Sequence, residues 1–189
     1  AWKSPYHLCT SLHLIIAFSI LSSLVWILLN FNRNTKKKIL QFNLNNISLK
    51  LLLSFIFIQI ILGAFVSGLD AGKIYQTWPL MNDNFFPDDA SINNVLNFNQ
   101  PSIVQFYHRN LGYFILLVSI FLGFNIFKNK DVDLYNSYLL FISLILLQIV
   151  LGISVLISGA NIFFASMHQI SSIFLVTAVL SLYHRSIRL

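Results

Sequence analysis

Four side chains of this 189-residue chain can do chemistry in places where little else can: His13, His108, Arg109 and His168. Each lies within a long apolar stretch, where an ionisable group is costly and marks function by default. No acid accompanies them. The acidic residues (Asp70, Asp83, Asp88, Asp89, Asp131 and Asp133) all fall between the apolar stretches, and the chain has no Glu. A relay of carboxylates across the bilayer is therefore excluded, and a catalytic carboxylate within the bilayer would have to come from elsewhere. Imidazoles without carboxylates point to ligation, because the neutral ring offers a lone pair to a metal and stays put when its second nitrogen is hydrogen-bonded. Two imidazoles facing each other across a helix bundle can hold a haem iron from both sides. Arg109, next to His108, could neutralise a propionate at the membrane surface. The plainer readings stay open: a membrane histidine can simply bond between helices, and Arg109 can snorkel to the headgroups.

The elements that must position these groups are helices across a membrane. The chain is 57% hydrophobic and 10% charged, whereas a soluble domain carries roughly 25% charged residues. Its apolar residues come in blocks, and about 20 residues at 1.5 Å rise cross ~30 Å of hydrocarbon. Five blocks are long enough: Leu8–Phe31, Ile47–Leu69, Ile103–Phe127, Leu134–Ser158 and Ile162–Tyr183. The expected fold class is all-α, a polytopic membrane helix bundle of five transmembrane helices. His108 and His168 then sit at nearly the same depth below the starts of the third and fifth spans, and His13 lies about two turns into the first. Three imidazoles at one level is a pattern that scatter rarely produces. His7 and His184, at span ends, are expected at the interface. Cys9, alone in the chain, excludes an intrachain disulfide and is expected as a small buried residue. The chain begins without a charged n-region or cleavage site, so no signal peptide is expected, and a start almost on a span suggests a segment of a longer protein.

The net charge of +6 does not point to nucleic acid, because of where it sits. Arg33, Lys36, Lys37 and Lys38 crowd one short loop between the first two spans, which places that loop in the cytoplasm, with anionic lipid as a contact. Lys128, Lys130, Arg185 and Arg188 fall on the same side, and the acidic loop of residues 70–101 on the other. The N-terminus of the chain is thus expected outside and the C-terminus in the cytoplasm. The Asn43–Asn46 stretch reads as ordinary solvated loop. A short repeat joins spans two and four: Gln59-Ile-Ile-Leu-Gly63 and Gln148-Ile-Val-Leu-Gly152. Both copies run the same way, a parallel repeat. Glutamine in hydrocarbon needs a partner and glycine lets helices approach, so Gln59 and Gln148 either pack helices or line a cofactor pocket. The acidic loop carries Tyr75-Gln76-Thr77-Trp78-Pro79-Leu80-Met81, whose aromatics favour the headgroup level. It either anchors to the membrane rim or acts as a lid.

At these residues the chain resembles the haem A synthase family. The resemblance lies in Gln59 to Leu69 followed by Ala71-Gly72, in Tyr75 and Thr77 to Met81 with Pro87, in Gln105-Phe-Tyr-His108-Arg109-Asn-Leu111, in Gln148 to Gly152 with Met167-His168-Gln169, and in Ser4-Pro5-Tyr6 with His13. It covers essentially the whole chain, and Thr-Trp-Pro-Leu-Met is its most specific piece. The resemblance implies eight helices in two similar four-helix halves, of which these would be helices four to eight. Residues 1–46 would be the last helix of an incomplete first half with its basic loop, and residues 47–189 a four-helix half holding haem b between His108 and His168. His13 would be one of a second histidine pair that takes haem o, whose ring methyl is oxidised to the formyl of haem a for cytochrome oxidase assembly. The partner of His13 and the family's candidate catalytic carboxylate would lie outside this chain. Haem o as substrate, haem O synthase and an electron donor as partners, and a bacterial plasma membrane or mitochondrial inner membrane follow in the same way. Two further readings stay open on composition alone: an electron-transfer cytochrome with two histidine ligands, and a cofactor-free structural or transport bundle. The oligomeric state stays open as well.

Overall fold

The computed structural model describes residues 6–31, 47–90 and 95–187, with backbone alone for residues 6–8. The basic loop of Arg33 and Lys36–Lys38, the Asn43–Asn46 stretch, Ser4-Pro5, the His7 side chain and Arg188 lie outside the described residues. Five helices account for most of the remainder: α1 (Tyr6–Asn30), α2 (Ile47–Gly68), α3 (Pro101–Lys128), α4 (Val132–Ile157) and α5 (Ile162–Ser186). All five are long and apolar enough to cross a membrane. Hydrocarbon offers the backbone no hydrogen-bond partner, so a spanning segment must satisfy its own amides, and the helix does so. Several hydroxyls in the spans follow the same rule: Ser22, Ser54, Ser119, Ser143, Ser154 and Thr177 each donate to the carbonyl four residues earlier, at 2.7–3.0 Å. The expected spans match these helices to within a few residues.

The ends are set by local chemistry. α3 starts at Pro101, whose missing N–H costs nothing in a first turn. α4 stops where Gly159 takes φ +67°. There the Gly159 and Ala160 amides donate back to Leu156 and Val155, at 3.2 and 2.8 Å, satisfying the last carbonyls. α5 then begins on Asn161, whose Oδ1 accepts from the Phe163 amide at 2.9 Å.

In the bundle α2 packs on α3, α3 on α4, α4 on α5, and α5 meets α2, closing a ring of four. α3 and α5 are therefore diagonal partners. α1 lies outside the ring against α2 and α5. One half of the ring is packed shut by Leu52, Ile56, Leu122, Phe141, Ile145 and Val179, all fully or nearly fully buried. Tyr138 reaches across this half to donate to the Ser119 carbonyl at 3.1 Å. Its hydroxyl occupies the space where a Cβ at Gly123 would stand, so α3 and α4 cross closely here only because residue 123 is glycine. The other half of the ring, beside the loop of residues 69–100, is lined by residues only partly covered: Gln59, Gly63, His108, Gln148, Gly152 and His168.

One expectation is corrected here and one residue gains a partner. His184, in the last turn of α5, is 1% exposed, edge-on to Trp26 at 5.1 Å and 3.4 Å from Asn30 Oδ1. The register of α1 against α5 causes this, by laying the last turn of α1 over that of α5. Cys9 is exposed rather than buried. It starts a stripe of exposed residues, continued by His13, Ile16, Ile20, Leu24, Ile27 and Phe31, at the three-and-four spacing of one helix face. α1 turns its other face, with Ser11, Phe18, Ser22 and Trp26, to the bundle.

Candidate functional site

The site is built twice, once on each diagonal helix. His108 stands seven residues into α3, and His168 six into α5. Both helices start at the same end of the bundle, so about 10 Å of helix brings each ring to one level. The neighbouring helix supplies a seat in each case. α2 carries Gln59, which donates from Nε2 to the His108 carbonyl at 2.9 Å. α4 carries Gln148, which donates to the His168 carbonyl at 3.1 Å. One turn further along each of these helices stands a glycine. A Cβ at Gly63 would lie 3.2 Å from His108 Cε1, and a Cβ at Gly152 would lie 3.2 Å from His168 Cε1. The repeated Gln-x-x-x-Gly thus has a physical meaning: the glutamine fixes the backbone of the histidine, and the glycine clears the place for its ring. Such a bond between helices in a membrane contributes roughly 0.6–2 kcal/mol.

The seats differ in detail. Gln59 Nε2 also lies 3.5 Å from His108 Nε2, and Gly112 makes room for that amide, its absent Cβ falling 3.4 Å away. The His168 carbonyl accepts a second bond from Ser171 Oγ at 3.0 Å. In each ring Nδ1 is buried and makes no hydrogen bond, and Gln59 Oε1 is likewise buried without a partner. Buried polar atoms in proteins are almost always satisfied, so a matched pair of orphaned ring nitrogens calls for a ligand. Among the described residues no group of three or more His, Cys, Asp or Glu could hold a metal ion. Two imidazoles alone suit a metal whose remaining positions are already filled by a macrocycle. The donor set, the orphaned nitrogens and the two cleared seats therefore fit a haem.

Residues 69–90 close the same end. Arg109 donates from Nη2 to the Tyr75 carbonyl at 2.8 Å and from Nη1 to those of Thr77 and Leu80 at 3.0 and 3.3 Å. Its Nε is buried and unpaired. Gln105 adds a second bond to the Tyr75 carbonyl at 2.9 Å, and Trp78 Nε1 donates to the Tyr113 hydroxyl at 3.0 Å. Tyr75 itself is buried. Its hydroxyl donates to Asp89 Oδ1 at 2.8 Å and accepts from the Asp88 amide at 2.9 Å. Burial first, then Asp89, holds that hydroxyl above the ordinary tyrosine value, so it stays protonated as a donor. Sequence reasoning missed this use of Arg109, Gln105 and Tyr113, although their spacing of four was a signal that they share one face of α3.

His13 is the one candidate ligand that the structure keeps apart. It lies seven residues into α1, a depth comparable to that of the other two, but on the exposed face, outside the ring of four.

These features define a polytopic helical membrane protein with a diagonal histidine pair in one half of a four-helix ring. The family model described as "Cytochrome oxidase assembly protein" matches residues 2–180, and the chain belongs to that family. Relatives named "Heme A synthase" include one from Pelagibacter ubique, 41% identical over 184 residues, covering 95% of this chain and 53% of the relative. Others are from Rickettsia africae, 36% identical with 96% and 56% covered, and Maricaulis maris, 34% identical with 94% and 52% covered. The chain spans about half the length of these relatives.

Proposed function

We propose that this chain is the C-terminal portion of a haem A synthase, a membrane oxidoreductase that converts haem o to haem a by oxidising a ring methyl to a formyl. The observation that carries this reading is the duplicated seat: His108 on Gln59 and Gly63, His168 on Gln148 and Gly152, on diagonal helices. Relatives 36–41% identical over 95–96% of this chain carry the enzyme's name.

Residues 47–189 would form the half that holds haem b, with His108 and His168 as the residues that would bind its iron; residues 1–46 would bring the last helix of the other half. The bound haem supplies one-electron redox chemistry. The chain's own residues do the rest. Gln59 and Gln148 hold the ligand backbones, and Gly63 and Gly152 let the rings turn inward. The packed half below them excludes water from that side. Arg109 has a free Nε for a propionate beside its loop contacts. His13, on the open face of α1, serves as a ligand for the substrate haem o, facing a half that this chain does not contain. Haem O synthase and an electron donor are the partners. The membrane is the bacterial plasma membrane or the mitochondrial inner membrane, with the chain's N-terminus outside and its C-terminus inside.

The test is chemical. Haem extracted from a haem o-producing host is expected to shift from haem o to haem a when the full-length protein is expressed. Persistence of haem o alone beside well-folded protein would reject the enzyme reading and leave an electron-transfer cytochrome.

A further inference from the structure

We infer that the segment Tyr75–Met81 is a fixed cap over the histidine pair, and that Arg109 and Tyr113 are positioning residues that hold it shut. This rests on the haem reading only for what lies beneath the cap; the cap itself stands on contacts.

One edge is fastened to the helix that bears His108. Gln105, Arg109 and Tyr113 recur every fourth residue along one face of α3, and all three bond the segment: two to the Tyr75 carbonyl, one also to Thr77 and Leu80, one to Trp78. The other edge meets the turn that leads into the helix bearing His168. There Gln76 packs on Gly159, with Oε1 3.4 Å from where a Cβ would stand, and Gly72 lies against Ala160. Inside the segment, Thr77 Oγ1 donates to the Leu80 carbonyl at 2.9 Å and accepts from the Asn82 amide at 2.7 Å. The Met81 amide donates to the Asn84 carbonyl at 2.8 Å. A swinging lid would keep one edge free. This segment is hydrogen-bonded along one edge and packed against the turn at the other, so it bars water from that end, and the route to the site that it leaves is sideways between helices.

The experiment compares full-length wild type with Arg109→Gln and Tyr113→Phe in detergent, by hydrogen exchange and by stopped-flow reduction with dithionite, a water-soluble anion. The wild type is expected to exchange slowly at Met81 and Asn82. The loss of a hydrogen bond to a charged group opens such a segment by about tenfold or more, so Arg109→Gln should speed exchange by that factor and speed haem reduction with it. Tyr113→Phe should do the same to a smaller extent, and its hydroxyl is bonded to the cap, which keeps the test valid if Arg109→Gln loses haem. Fast exchange in the wild type, or unchanged exchange and reduction in both variants, would overturn the cap. A wild type without a b-type spectrum would instead remove the haem reading, and the exchange comparison would still decide whether the cap exists.

Discussion

His13→Ala in the full-length protein is expected to abolish haem a formation while leaving the resident b-type spectrum unchanged. The two arms of this result follow from where the three histidines stand. His108 and His168 stand at one level on diagonal helices of the ring of four, each on its own glutamine and glycine. His13 belongs to α1, outside that ring and on its exposed face. Removing it takes nothing from the seats. Loss of a group that merely supports a metal ligand typically costs 10–100-fold, so loss of the ligand itself should cost more than about 100-fold in product formation. Haem extraction after expression measures the product, and a reduced-minus-oxidised spectrum of the same preparation measures the resident haem. A His13→Ala protein that still makes haem a at the wild-type rate would remove His13 from the chemistry.

The second large effect concerns two residues with no chemistry of their own. Gly63→Val and Gly152→Val are each expected to empty the haem site. A Cβ alone would stand 3.2 Å from the imidazole carbon in both seats, tighter than ordinary packing. Two further methyls cannot be taken up without moving the ring, and overpacking of this kind costs about 1–3 kcal/mol. Because the glutamine holds the histidine backbone in place, the ring turns rather than the helix, and the ligand leaves its position. The alanine variants should retain part of the haem and the valine variants almost none, read as haem per protein by pyridine haemochrome. Full occupancy in both valine variants would show that the glycines serve helix packing alone.

Much of this was legible in the sequence, and for a definite reason. Hydrocarbon thickness fixes span length, so five blocks gave five helices with ends off by a few residues. The rise per residue fixes depth, so His108 and His168 were expected at one level before their helices were known to be diagonal. The internal repeat singled out Gln59, Gly63, Gln148 and Gly152 as pairs. What depth and repeat do not carry is rotation and partner. That Gln59 holds a backbone as well as lining the open half follows from which face of α2 meets α3, where it bonds the His108 carbonyl. Arg109 also ties the loop, its two Nη groups meeting loop carbonyls, a use that only the path of a loop without periodicity could reveal. His184 ends a span, and the register of α1 that covers it with Trp26 has no counterpart in its position along the chain. Cys9 looked like a buried small residue, and one turn of α1 places it outward beside His13 instead.

The central claim is that His108 and His168 hold one haem between them. The most direct test is the reduced-minus-oxidised spectrum of the purified full-length protein, recorded beside His108→Ala and His168→Ala. A b-type signal with the features of two nitrogen ligands in the wild type, lost in both variants, is expected. A well-folded wild type with a flat spectrum, or a signal that survives both substitutions, would contradict it.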